Sequence, residues 1–375
     1  MSGISVSDLK AKKKNLCMIL SLMLVGLLTC FMLVGCGGES STESDTSGNE
    51  AAAEYADLES VNLLLASGAP VDNIGDVWQK AISENVAEIT GGKLTIEYHG
   101  NSELGGDADI FRQLQSGDIQ MVAAQPSSVV PYVGEAGCFD LPMAFVGYDA
   151  ETIDAVLNGD NEFTQALDAA YEANGFVNLG FVQDATFRIT TSNVPLNTLD
   201  DYKGLQIRTM QSANSIAFWE ALGAAPTPLD FSEVYISLQN GTIDAQENPT
   251  DTIVGSSIQE VQKYYENTNH TLSTYNMVMN KDAWDSLDAK YQEAIVKAIS
   301  MATEETMATQ PDREAAATKT MEDAGMQAIV YDDSFYEEVL NLDAVKKIYS
   351  DISTQTNGLS DQMIAALEAE AANQS

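Results

Sequence analysis

Histidine, arginine and disulfide-forming cysteine are scarce in this 375-residue chain, and each scarcity closes a route. The two histidines, His99 and His270, are too few and too isolated to build a metal site or a general base. No GxSxG, P-loop or GxGxxG phrase occurs. Asp107-x-Asp109 starts like a calcium loop but puts Phe111 where the next oxygen ligand belongs. No cofactor, metal or catalytic residue is therefore expected, and the chain reads as a non-enzyme. Of the four cysteines, Cys17, Cys30 and Cys36 stand near the N-terminus. Cys138 is left alone in Gly-Cys-Phe-Asp-Leu-Pro and reads as a buried, inert thiol. Stability must then come from an apolar core, for which 45% hydrophobic residues suffice. Basic residues number 18 against 56 acidic ones, a formal charge of −38 that repels nucleic acid and anionic membrane surfaces. Against that background each of the four arginines, Arg112, Arg188, Arg208 and Arg313, calls for an explanation.

What is present begins at the N-terminus. Lys10, Lys12, Lys13 and Lys14 precede an apolar run over residues 16–33, and Leu33-Val34-Gly35-Cys36 follows. A basic start, an apolar stretch barely long enough to span a bilayer and a small residue before a cysteine resemble a bacterial lipoprotein signal. Residues 1–35 are expected to be removed, leaving Cys36 as the lipidation site and membrane anchor on the extracytoplasmic side. Each buried acyl CH2 contributes about 0.8 kcal/mol, so two or three chains hold a domain firmly. Residues 36–56 are mostly Gly, Ser, Thr, Glu and Ala and read as a flexible tether. What remains suits two domains of ordinary size.

Beyond the tether the pattern is α/β. Strands are expected at 61–66, 94–98 and 119–123. Between them lie a helix capped by Asp72 or Asn73 and running to Thr90, with Val77, Ala81 and Ile89 inward, and another over 107–116 closed by Gly117. Helix over 149–174 should break near Asn158-Gly159. Strands at 176–181 and 187–190, a strand ending at Arg208, a helix capped by Ser212, another capped by Ser232, and a strand at 275–280 follow. A long helix over 282–323 contains Pro311, which should kink or split it. Helices over 334–353 and 360–372 close the chain.

One phrase recurs. Leu114-Gln115-Ser116-Gly117-Asp118-Ile119 is echoed by Leu238-Gln239-Asn240-Gly241-Thr242-Ile243, and each leads to a polar residue before proline, Gln125-Pro126 and Asn248-Pro249. Two lobes each offering an equivalent strand end to a shared cleft would explain this, since open α/β sheets bind ligands at the carboxyl ends of strands. Arg208 stands at such an end, just before a helix N-terminus. Its planar fork suits a carboxylate, and the helix dipole adds positive character. A structural salt bridge is the other reading of Arg208, and Arg188 and Asn248 taken alone are open in the same way.

The run from Lys203-Gly204-Leu205-Gln206-Ile207-Arg208 through Ala221-Leu222-Gly223, Phe231-Ser232-Glu233-Val234-Tyr235 and Leu238-Gln239-Asn240-Gly241 to Gln246-Glu247-Asn248-Pro249 closely resembles solute-binding proteins of tripartite ATP-independent periplasmic (TRAP) transporters, the DctP-like family. Glu103-Leu104-Gly105-Gly106 and Trp284 before the long helix fit the same family, and the likeness spans roughly residues 60 to 345. The resemblance implies a two-lobed periplasmic-binding-protein-like α/β fold, with mixed sheets flanked by helices, a cleft between lobes and a long helix spanning them. Lobe I is expected over 57–185 with 274–312, and lobe II over 186–273 with 313–375. The family's roles fall on Arg208 for the substrate carboxylate, Arg188 as its basic partner, Asn248 as the amide, Phe231 under the substrate body, and Gln125, Asn73 and Asp107 on the other wall. The implied partners are a small organic acid and the membrane permease subunits. A sensor presenting its ligand to a membrane receptor would use the same cleft. Gln125 stands where sialate-binding members carry an acid, and Ala245 replaces a usual glycine.

Overall fold

The computed structural model describes residues 53–374. The Leu33-Val34-Gly35-Cys36 phrase, the expected signal and most of the tether lie outside the described residues. Within the expected tether, Tyr55 is buried and its ring stacks on Tyr291 with centroids 6.0 Å apart. An aromatic ring gains too much from burial to be left in a linker, so packed structure begins before residue 57.

Short runs of β-branched, aliphatic and aromatic residues form the strands. In chain order these are β1 (Val61–Ala66), β2 (Leu94–His99), β3 (Met121–Ala124), β4 (Phe176–Phe187), β5 (Ile189–Ser192), β6 (Gln206–Thr209), β7 (Ala225–Pro228), β8 (Ala245–Asn248), β9 (Tyr264–Glu266), β10 (Leu272–Asn280) and β11 (Gln327–Ile329). They build two mixed sheets, one ordered β2-β1-β3-β10-β4 and the other β11-β9-β5-β8-β6-β7. Each sheet is the centre of a lobe. β1 runs parallel to β2 and β3, and β10 runs antiparallel to β3 and β4. In the second sheet β6 is parallel to β7 and β8, while β5 is antiparallel to β8 and β9.

The chain crosses between the two sheets three times: from β4 to β5, from β9 to β10, and along the helix Ala289–Asp323. Arg188 is the single residue between β4 and β5. Its N–H donates to Thr271 O at 2.9 Å, tying the first crossing to the second. The expected strands at 176–181 and 187–190 divide differently. β4 continues to Phe187 because β10 pairs with it from Phe176 to Phe187, with register shifts that absorb the length.

Helix Ile74–Thr90 is capped by Asn73, whose side chain accepts from Asp76 N. Its inward face is Ile74, Trp78, Ile82 and Val86 at i, i+4 spacing. Val77, Ala81 and Ile89 are only partly buried. The phase is set by Trp78, whose Nε1 donates to Thr303 Oγ1 at 3.0 Å across the core. The break expected near Asn158-Gly159 is there, between helices Ala150–Asn158 and Glu162–Ala173. The helix expected from a Ser232 cap is instead Val234–Gln239, preceded by a turn capped by Asp230.

Pro311 does not break its helix. The chain is helical without interruption from Ala289 to Asp323, and the break falls earlier, at Leu287-Asp288, where Asp288 caps the new start. Proline inside a helix costs about 3 kcal/mol. Here both ends of the helix are held: Ile295, Ala298 and Ala302 sit in the first lobe's core and Met321 in the second's. The C-terminal helices also differ from the expected partition. Leu359–Gln374 packs on Ala150–Asn158 and Glu162–Ala173 of the first lobe, and Thr152 Oγ1 donates to Gln374 Oε1 at 2.8 Å. Leu359, Met363 and Leu367 give this last helix an apolar stripe that the first lobe's helices cover.

Candidate functional site

The two echoed phrases fold alike. Each helix ends on a left-handed glycine, Gly117 at φ 79° and Gly241 at φ 69°, a conformation glycine adopts without steric cost. Each phrase then feeds a four-residue strand, β3 or β8, that stops at a proline opening a short helical turn. The two strand ends face one narrow cleft, with a cavity volume of about 50 Å³, and Gln125 and Asn248 both line it.

One wall is cationic. Arg188 and Arg208 are 2% and 4% exposed. Arg188 is spent inside the protein. It forms a salt bridge to Glu247 through Nε, and its Nη2 donates to Glu247 Oε1 at 3.0 Å, Glu247 O at 2.8 Å and Asn248 Oδ1 at 2.9 Å. Burial alone would push the Glu247 carboxyl up, but Arg188 and His270 outweigh it and hold the group at about 2. Burial pushes the His270 pKa down against the pull of Glu247. A neutral ring fits both its contacts, Nε2–H donating to Glu247 Oε2 at 3.1 Å and Nδ1 accepting from Thr268 Oγ1 at 3.0 Å.

Arg208 is held differently. Nε and Nη2 both donate to Leu229 O, at 3.0 and 2.8 Å. Its Nη1 has no hydrogen-bond partner among the described residues, and the nearest acid oxygen, Glu247 Oε1, is 4.0 Å away. The guanidinium carbon lies 5.8 Å from the Phe231 ring centroid, in cation–π range. Burial, partly offset by Glu247, lowers the Arg208 pKa to about 10, so the side chain stays charged at neutral pH. The helix Ala213–Ala221 does not lend its N-terminus to the cleft. Asp140 of the first lobe takes that place, accepting from Ser212 Oγ at 2.6 Å and Asn214 Nδ2 at 3.3 Å. A buried carboxylate is better served by these donors than left for water.

The opposite wall is polar and acidic. Asp107, Ser102, Gln125, Ser128 and Tyr275 line it, with Asp230 and Phe231 shared by a wider vestibule outside. Asp107 accepts from Ser128 Oγ. Asn73 is not on the wall. It is buried behind it, and its Nδ2 donates to Tyr275 Oη at 2.7 Å and to Thr252 Oγ1 at 3.3 Å. The cap position that fixes Asn73 at the helix start also turns its amide away from the cleft, so it positions Tyr275. The amide of Asn248 is likewise committed, its oxygen to Arg188 and its nitrogen to Gln246 Oε1 at 2.5 Å. The cleft thus brings together Arg208, Arg188, Asn248, Phe231, Gln125 and Asp107 and leaves Asn73 one layer back. Sequence reasoning missed Tyr275, Thr252 and Asp230 on the lining and Glu247 and His270 behind it. Strand alternation in β10 was the available signal for Tyr275; an acid among 56 gives none for Glu247.

Comparisons with known proteins agree with this architecture. The chain is 35% identical over 244 residues to the C4-dicarboxylate-binding periplasmic protein DctP of Rhodobacter capsulatus, covering 64% of this chain and 72% of that one. Among solved structures, a TRAP periplasmic solute-binding protein from Bradyrhizobium, complexed with α/β-D-galacturonate, is 29% identical with a TM-score of 0.74 over 81% of this chain and all of that one. Another, from Shewanella oneidensis with bound succinate, is 25% identical with a TM-score of 0.75 over 82% of this chain and 99% of that one. Residues 69–356 match the bacterial extracellular solute-binding protein family 7, DctP, and the chain belongs to that family.

Proposed function

We propose that this protein is the extracytoplasmic ligand-capturing component of a TRAP-type transporter, and that a small organic carboxylate meets Arg208 in the cleft. The observation that carries the reading is a buried, charged guanidinium on the cleft lining whose Nη1 has no hydrogen-bond partner among the described residues. The relatives are described as binding C4-dicarboxylates or as complexed with galacturonate and succinate, all organic carboxylates. Arg188, fixed by Glu247, adds a second cation behind the same point, and Phe231 offers an apolar face to the ligand body. Closure of the lobes expels water and strengthens these bonds. A charge-assisted bond contributes roughly 1.5–3 kcal/mol, so the Arg208 contact supplies part of a micromolar complex of about −8 kcal/mol and closure around the ligand supplies the rest. The closed form then delivers the solute to its membrane permease, with Cys36 as the lipid-bearing anchor on the outer face of the cell membrane. The ligand leaves chemically unchanged.

A thermal-shift screen of small carboxylates tests this. A true ligand at 100 times its Kd adds about 2.7 kcal/mol of stability. Arg208→Ala is expected to weaken that ligand by at least about 100-fold while the unliganded melting temperature stays near that of the parent. An Arg208→Ala protein with parental affinity contradicts the reading.

A further inference from the structure

We infer that the cleft selects an acid with a single carboxylate and hydroxyl groups at its other end, and that Asp107 is the residue that excludes a second carboxylate. The inference rests on the carboxylate reading above and deepens it. The charge of the cationic wall sets the first half. Arg188 and Arg208 face one buried carboxylate, Glu247, and two further acids, Asp107 and Asp230, line the same cleft, so no cation is in excess. Among the described lining residues there is no other lysine or arginine. Arg112, on the nearby helix Asp107–Ser116, is exposed and paired with Asp109. Arg208 Nη1 can therefore take one carboxylate, and no cation is left for a second. An uncompensated anion in a closing, drying cleft is costly.

The far wall sets the second half. Asp107 Oδ2 takes the Ser128 hydroxyl, and Oδ1 has no hydrogen-bond partner among the described residues. Ser102 Oγ and the Gln125 side-chain amide are unpartnered in the same sense, and both residues line the cleft. Asp107 Oδ1 and Ser102 Oγ would stand 3.0 and 3.5 Å from a β-carbon on Gly68, so the missing side chain leaves their approach open. Tyr275 Oη accepts from Asn73, which leaves its own proton to donate. Asp230 adds a further acid to the lining. Burial pushes the Asp107 carboxyl up against the Ser128 donation, and a second carboxylate here still meets two acids, Asp107 and Asp230, and gains no cation. A hydroxyl instead donates to Asp107 and accepts from Tyr275 or Gln125, satisfying every group.

Isothermal titration of the purified protein, freed of bound ligand, decides it. The probes are hexuronates and aldonates as hydroxylated monocarboxylates, with succinate and malate as dicarboxylates. At least one hydroxylated monocarboxylate is expected to bind about 100-fold more tightly than either dicarboxylate. Asp107→Asn is expected to cut that preference to less than about ten-fold, chiefly by weakening the hydroxylated acid. A dicarboxylate that binds the parent as tightly as the best hydroxylated acid overturns the inference and leaves carboxylate capture standing. So does an unchanged preference in a stably folded Asp107→Asn. If that variant melts early, the ranking on the parent protein decides alone. If no probe of either class binds, carboxylate capture itself fails and the inference fails with it.

Discussion

Arg188 and Arg208 sit in one wall, yet they are different kinds of arginine. Arg188 is a structural cation, fastened to Glu247 and Asn248 between β4 and β5, and Arg208 is anchored by a carbonyl that takes none of its charge. Both were legible in the sequence as rare cations in an acidic chain, and the family resemblance named them as partners. Their division of labour was not legible, because it depends on which of 56 acids folds beneath them. The buried acids also carry opposite pH signatures. Glu247, held at about 2 against its ordinary 4.5, contributes stability that is present above pH 4.5 and lost as pH falls toward 2. Glu266 in β9 has the reverse sign. Burial pushes it up to about 8, against the donation from Ser192. The folded state then keeps a proton that the unfolded chain gives up, so stability falls as pH rises from its ordinary 4.5 through about 8. The melting temperature of the parent is expected to drop between pH 6 and 9, and that of Glu266→Gln to drop distinctly less. Parallel pH profiles for the two proteins would contradict the assignment.

Elements were legible where local chemistry decides them. Asn73 as a cap, Gly117 as a stop, the break after Asn158 and the strand Val61–Ala66 all follow from neighbours in sequence. They failed where distant packing decides. Pro311 is the clearest case: its local rule predicts a kink or a split, and the helix runs through it without interruption, held by burial at Ile295 and Met321. If the helix tolerates proline only because packing holds both ends, Pro311→Ala restores the missing N–H donor and should raise unfolding stability by roughly 1–3 kcal/mol in a denaturant titration. A loss of stability would mean that proline itself is needed. Helix N-termini gave a second lesson. Ser212 was read correctly as a cap, but the anion it serves is Asp140 of the other lobe. Asp251 of the second lobe makes the mirror contact, accepting from Ile74 N at 2.8 Å at the start of the first lobe's helix. Asp230 packs against Gly106, where a β-carbon would overlap its carboxylate. Such exchanges of acid and helix end across the lobes cannot be read from either partner alone.

At the scale of the molecule, three crossings join two sheets around a cleft, and two of them are hydrogen-bonded at Arg188. If a carboxylate meets Arg208 as proposed, Arg188 stands behind it while also joining two of the crossings, so ligand charge and the connection between lobes would share one residue. The two-lobed plan was legible because the echoed helix–glycine–strand–proline phrase repeats in each lobe and the resemblance covered most of the chain. The placement of the last helix on the first lobe was not, since an amphipathic helix does not record which surface covers it. The most direct test of the whole account is a crystal structure of the protein with its tightest carboxylate bound. The account predicts a carboxylate oxygen within hydrogen-bond distance of Arg208 Nη1, with Arg188 still on Glu247. An Arg208 that turns to Glu247 or Asp107 while the ligand's acid group lies elsewhere would contradict it.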